Sequence, residues 1–177
     1  MDWQKLEEAD WLFRKMVRRF VKERDKILIE GITLPALLIL HKIIRDGKQQ
    51  LGDLAEELDF TSGAVTALCD KLEEKGFAFR CKGEDRRTVW LDITDQGREM
   101  FQRNRNIGKR CVNVLFEGFS EDELSDQIGG YRRIIGNLER FSAEILQLAR
   151  ENAAPDPAGG LKRSAEPADR NSSYLSY

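Results

Sequence analysis

Residues 51–93 change period twice, and few folds accommodate that. LGDLAEEL (51–58) reads as a short helix burying Leu51, Leu54, Ala55 and Leu58. Asp59-Phe60 makes a tight connection. Thr61 or Ser62 can cap the next helix, which carries Val65, Leu68 and Leu72 inward and stops at Gly76. Two short helices joined by so brief a turn form a helix-turn-helix pattern. Beyond Gly76 the period falls to two. Phe77 and Phe79 alternate with Ala78 and Arg80, then Val89, Leu91 and Ile93 with Trp90 and Asp92. The polar KGEDRR (82–87) between them predicts a β-hairpin with a basic tip, a wing.

The flanks are helical. Residues 3–26 place Trp3, Leu6, Phe13, Met16, Val17, Phe20 and Val21 at three- and four-residue spacing, an amphipathic stripe that Gly31 breaks. Thr33 precedes LPALLILHKII, whose Pro35 falls in a first turn that can spare an N–H, so a second helix is expected to about Arg45. Its stripe Leu34, Leu37, Leu38, Leu40 and Ile44 predicts burial on most sides. Thr94 is expected to cap one long helix, TDQGREMFQRNRNIGKRCVNVLFEGF. Ser120-x-x-Glu123 is a capping box opening the last. There Leu124, Ile128, Tyr131, Ile135, Leu138, Phe141, Ile145 and Leu148 make a seam that wants a partner helix. Helices of the same chain are one candidate, but the length of the seam favours a second copy, and a homodimer is expected.

The expected class is mainly α with a small β-hairpin wing: a winged helix-turn-helix with N- and C-terminal dimerisation helices. Residues 1–150 form that domain, with a DNA-binding core at about 33–94. From Glu151 the texture changes to prolines, paired glycines and scattered charge, so 151–177 is expected to be a disordered tail.

Composition excludes several classes. No apolar run approaches the roughly 20 residues of a membrane span, and MDWQKLEEAD lacks the order of a signal peptide. A cytoplasmic protein without membrane contact is expected. Cys69, Cys81 and Cys111 are widely spaced with no CxxC pair, and His41 is the one histidine. That argues against a disulfide framework or a metal site, so no cofactor is expected. No convergent acid, base and nucleophile is legible, which argues against an enzyme. The net charge of −2 does not exclude DNA, because phosphates meet one face only. Basic residues cluster at 14–26, 80–87 and 98–110.

With Val65, Leu68 and Leu72 inward, the opposite surface of the helix presents Gly63, Thr66, Ala67 and Asp70, flanked by Ser62 and Lys71. A core helix would be more apolar there, and a solvated one more charged. Small residues allow close approach to the major groove, and Ser62 and Thr66 can bond base edges or phosphates. Thr61 lies at the helix start, where unpaired N–H groups favour phosphate. Lys82, Arg86 and Arg87 supply a second grip from the wing, and Asp85 is expected to orient an arginine. Double-stranded DNA is the expected partner. The alternative is a winged helix used only for protein contacts or assembly, without DNA binding.

LGDLAEEL, TSGAVTALCDKLEEKGFAFR and EDRRTVWLDITDQGREMF together resemble the MarR family of bacterial winged-helix regulators, over roughly residues 33–105. The wing's Asp85-x-Arg87, followed by Leu91-x-x-Thr94-x-x-Gly97, is the most specific part. The resemblance implies a triangular homodimer on a pseudo-palindromic operator, more often repressing than activating, and released by a small ligand or by oxidation. It places Arg87 in the minor groove. Family members often carry a basic or larger polar residue where this chain has Ala67, so base reading is expected to be thinner here. The resemblance also implies an effector pocket between the dimerisation helices and the winged helix, with Trp11, Phe13, Met16, His41 and Trp90 as candidates for a phenolic ligand. Plain core packing is the alternative for the aromatic residues, and a surface or capping role for His41. Peroxide sensors of the family use a cysteine in the N-terminal helical region, which this chain lacks. Cys69 beside the reading helix, Cys81 at the wing, and Cys111 next to Lys109 and Arg110 remain candidates for oxidation.

Overall fold

The computed structural model describes residues 2–82 and 88–153. The tip of the wing, including Asp85, Arg86 and Arg87, and the expected tail beyond residue 153 lie outside the described residues. The chain divides into two units, residues 1–111 and 112–177.

In the first unit, α1 (Trp3–Arg24) starts at Asp2, whose side chain accepts from the Gln4 N–H. Two short strands follow, β1 (Leu28–Ile29) and β2 (Ile32–Thr33), paired antiparallel. Glu30 and Gly31 join them with φ of 50° and 86°. Positive φ at both central residues suits a two-residue hairpin. In the sequence Gly31 marks only a break, because two-residue strands carry no period of their own. Helix α2 (Leu34–Asp46) begins with Pro35 in its first turn, as expected, though the Thr33 hydroxyl makes no capping bond.

Strand β3 (Gln49–Gln50) leads into α3 (Leu51–Glu57). The chain then turns through Asp59 at φ 53° into α4 (Ser62–Glu74). The wing is built from β4 (Ala78–Lys82) and β5 (Val89–Ile93), and β3 pairs with β5 to give a three-stranded antiparallel sheet, β3-β5-β4. Two glutamines carry no strand pattern, which is why β3 was not foreseen.

The core is contributed by the β1–β2 hairpin, α2, α3, α4, the wing and α5 (Asp95–Arg103). Ile32, Ile39, Leu40, Ile43, Leu54, Val65, Cys69, Leu72, Leu91 and Met100 are buried almost completely. Each large aliphatic side chain among them contributes about 1.5–3 kcal/mol. Two phases differ from those read in the sequence. In α2 the buried face is Ala36, Leu37, Ile39, Leu40 and Ile43, whereas Leu38 is exposed. In β4 the inward residue is Ala78, paired with Ile93, and Phe79 is exposed opposite Asp92. Phe77, in the turn before the strand begins, is buried in the core.

The motif Leu91-x-x-Thr94-x-x-Gly97 fastens this core. Leu91 is fully buried. The Thr94 hydroxyl accepts from the Gly97 N–H at 3.0 Å, capping α5, and donates to the Gly76 carbonyl at 2.6 Å. The Thr94 N–H reaches the Phe77 carbonyl at 3.1 Å. Gly97 packs so closely that a Cβ there would sit 2.0 Å from the Phe77 oxygen. The spacing therefore records one joint, where the end of α4 meets the start of α5.

The single long helix expected after Thr94 is broken. Helix α5 stops at Asn104, whose Nδ2 donates to the Met100 carbonyl at 2.9 Å and to Glu30 Oε1 at 2.7 Å. Arg103 Nη2 bonds Glu30 Oε2 at 2.9 Å. The amide side chain competes with the backbone for the last helical carbonyl. The next helix, α6 (Asn106–Leu115), crosses the boundary between the units.

In the second unit, α7 (Glu121–Ala153) runs for 33 residues. Its capping box forms as read: Ser120 N–H donates to Glu123 Oε2 at 2.8 Å, and Glu123 N–H to Ser120 Oγ at 3.3 Å. Three carboxylates, Glu121, Asp122 and Glu123, sit in the first turn, where the helix dipole favours them. None of its residues is buried within this chain; Ile135 is 62% exposed, and Leu138, Phe141, Ile145 and Leu148 are about half exposed. Among the described residues, no helix is long and apolar enough to cross a membrane.

Candidate nucleic-acid interface

Helix α4 is held at its start by Thr61. The Thr61 hydroxyl accepts from the Ala64 N–H at 3.2 Å, and the Thr61 carbonyl takes the first helical bond, from Val65 at 3.0 Å. The N–H groups of Ser62 and Gly63 precede that bond. They stand at a positive helix end whose first turn has no acid. Val65, Cys69 and Leu72 pack into the core, with Leu68 half-buried. Every residue from Thr61 to Ala64, and Thr66 and Ala67 after them, is exposed. The face left outward is thus small and polar, as the sequence implied.

The details refine that surface. A Cβ on Gly63 would meet nothing within 4 Å, so packing within the chain does not require glycine there. Thr66 donates its hydroxyl proton to the Ser62 carbonyl at 2.9 Å, which leaves the oxygen lone pairs outward. Lys71 is committed to Glu74 at 2.8 Å. Asp70 is met by Arg80 at 2.7 Å. In the wing, Lys82 is exposed at the end of β4 beside Val89. Asp85, Arg86 and Arg87, on which the reading of the tip rests, fall outside the described residues.

In the sequence Arg80 belongs to the basic cluster at 80–87, but in the fold it binds α4. Asp70 and Glu73, three residues apart near the end of that helix, were the signal that could have located it.

The five effector candidates are distributed over α1, α2 and β5. Trp11 and Met16 are exposed and Phe13 half-buried on α1. Trp90 lies in the wing sheet opposite Gln50, with the Lys48 ammonium 5.2 Å above its ring. His41 is exposed and stacks on Phe101 at 5.8 Å between centroids. Phe101, with Ile44, Arg98, Glu99, Gln102 and Arg103, lines an open cleft of about 690 Å³. His41 adjoins this cleft through Phe101, and none of the five lines it.

The thiols separate as well. Cys69 is fully buried, a core residue rather than one flanking the surface, and burial pushes its thiol up to about 11 against the pull of Arg80. Cys81 and Cys111 are half-buried. Among the described residues no cluster of His, Cys, Asp and Glu is placed to hold a metal ion.

Comparison with known proteins agrees with this geometry. The model of the MarR family matches residues 32–89, from β2 to the first residue of β5. The transcriptional repressor MdtR of Bacillus subtilis is 26% identical over 113 residues, spanning 63% of this chain and 70% of that protein. The regulator SarZ of Staphylococcus aureus is 28% identical over 134 residues, 75% of this chain and 89% of SarZ. Among solved structures, Streptococcus pneumoniae FabT, determined in complex with DNA, superimposes with a TM-score of 0.57 at 25% identity, covering 79% of this chain and 99% of FabT. The matched segment holds the whole helix-turn-helix and the start of the wing's return strand, and the relatives extend along the flanking helices. Residues 32–89 thus match a MarR-family domain, and over most of its length the chain is similar to known transcriptional regulators.

Proposed function

We propose that this chain is a cytoplasmic, homodimeric transcriptional repressor that inserts α4 into the major groove of a pseudo-palindromic operator. One observation carries the reading. The exposed face of α4 is small and polar from Ser62 to Ala67, begins at an acid-free helix N-terminus, and includes a glycine, Gly63, beside which a Cβ would meet nothing. FabT was solved with DNA bound, and MdtR is a transcriptional repressor. A DNA-binding transcriptional regulator, not an enzyme, is the function this family carries.

In this reading Thr61, Ser62, Gly63, Thr66 and Ala67 face the DNA. Lys71 and Lys82 stand at its margin, Arg86 and Arg87 grip from the wing, and Asp85 orients them. The domain spans residues 1–150, α7 continuing to Ala153 where the tail was expected from residue 151, with the residues after it as the tail. The half-exposed apolar residues of α1 and α7 supply the dimer contact, since a free chain has little reason to leave such a row in water. A phenolic effector would act through the cleft beside Phe101, reached by His41. Oxidation is better placed at Cys81 or Cys111 than at buried Cys69.

The test is a gel-shift titration against DNA flanking the chain's own gene, with excess unrelated DNA as competitor. Selective, salt-sensitive binding supports the reading. No selective binding at any salt leaves α4 as a protein-contact surface instead.

A further inference from the structure

Arg80 stands where a DNA-contacting arginine would be sought, in the strand after the recognition helix. Its donors point elsewhere. The Arg80 backbone N–H donates to Glu73 Oε1 at 2.7 Å, and Nη1 donates to Glu73 Oε2. Nη2 meets Asp70 Oδ1 at 2.7 Å and lies 3.4 Å from the Thr66 carbonyl. The Arg80 side chain is 26% exposed, while that of Asp70 is 61% exposed. Thr66, Asp70 and Glu73 lie three or four residues apart, on one flank of α4. One side chain therefore laces that flank to the first strand of the wing. The backbone link between the two passes through Gly76 at φ 72°, where Gly76 N–H bonds the Glu73 carbonyl and Phe77 N–H the Leu72 carbonyl, each at 2.9 Å, and Arg80 adds a side-chain tie beyond that turn.

We propose that Arg80 is a positioning residue for DNA recognition: it sets the angle between α4 and the wing, neutralises Asp70 beside the exposed face, and makes no phosphate contact. The inference rests on the reading of α4 as the recognition helix. Its chemistry is specific to arginine. A planar fork with several donors can serve two carboxylates and a carbonyl at once, whereas a lysine ammonium brings equal charge without that geometry. Without Arg80, a mostly exposed carboxylate would face the phosphates.

The test compares Arg80→Lys, Arg80→Gln, Asp70→Asn and the double variant Asp70→Asn/Arg80→Gln with wild type. Affinity for a selected operator is measured by fluorescence anisotropy across a salt series. Amide hydrogen exchange of the free proteins is read in parallel. Arg80→Lys should bind about tenfold more weakly although its charge is kept. Arg80→Gln should lose at least as much, and the double variant should recover part of it, since the two residues are coupled. The salt slope of the double variant should equal that of wild type. Affinity unchanged in Arg80→Lys would overturn the proposal. So would additive losses together with a slope shallower by about 0.9, the mark of one lost phosphate contact. If wild type selects no DNA, the recognition reading falls, and exchange still tests the brace: amides of β4 should exchange about tenfold faster in Arg80→Lys, and unchanged exchange refutes it.

Discussion

Replacing Gly63 with glutamate should move folding and DNA binding in opposite directions. Gly63 is the second residue of α4, and a Cβ there meets nothing within 4 Å, so the substitution creates no clash within the chain. Leaving glycine gains about 0.5–1 kcal/mol in a helix interior and less near an end. A carboxylate in a first turn that has none gains about 0.3–1 kcal/mol from the helix dipole. The sum is about 1 kcal/mol of added stability, a rise of a few degrees in Tm. Against DNA the same carboxylate faces phosphate, and like charges brought together in an interface cost several kcal/mol, so affinity should fall more than about tenfold. Thermal melts and anisotropy titrations with a labelled operator give both numbers on one preparation. A more stable variant that binds as well as wild type would refute the docking of this helix end. A less stable one would refute the open surroundings assigned to Gly63.

Other expectations follow from the same packing. Gly97→Ala should destabilise the fold by about 2–3 kcal/mol, because its Cβ would strike the Phe77 carbonyl and Ile93; urea unfolding measures it, and a neutral result would contradict the joint between α4 and α5. Lys42 is almost buried and bonds Asp46 at 2.7 Å and Glu57. Hydrogen bonds from Arg45 and Lys42 hold the Asp46 carboxyl well below the usual aspartate range. A lowered folded-state value stabilises above the unfolded-state pKa, near 3.9, and that contribution drains away as pH falls through the lowered value. Asp46→Asn should therefore be less stable than wild type at pH 6, with the gap narrowing below about pH 4; a gap independent of pH would contradict this. Ile135→Glu on the exposed face of α7 should convert a dimer to monomer in light scattering while helical content is kept. A dimer that survives would move the interface off this seam.

How much of this was legible in the sequence depended on what enforced each feature. The pattern from Leu51 to Gly76 was readable because the caps, the apolar spacing and the terminal glycine agree, and α4 ended where expected. Leu91-x-x-Thr94-x-x-Gly97 was readable as a motif, but its cause needed coordinates: a hydroxyl shared between two elements, and a glycine under a distant carbonyl. What failed was phase and continuity. An almost wholly apolar helix offers no contrast from which to choose its buried face, so Leu38 was assigned inward and Ile39 overlooked. At the break Asn104 bonds both the local Met100 carbonyl and Glu30, 74 residues away, and the apolar spacing that runs on past it gives no sign of the second partner. The same holds for Arg80, whose partners lie in the preceding helix and whose charge suggested DNA rather than a brace.

The most direct test of the central claim is equilibrium binding of the full chain to DNA flanking its own gene and to scrambled DNA of equal length, across a salt series. The expected result is a preference of about a thousandfold or more at physiological salt, with affinity falling steeply as salt rises. That preference should shrink when Ser62 and Thr66 are changed to alanine. Equal affinity for the two DNAs at every salt, or none for either, would contradict the assignment of α4 as a sequence-reading helix.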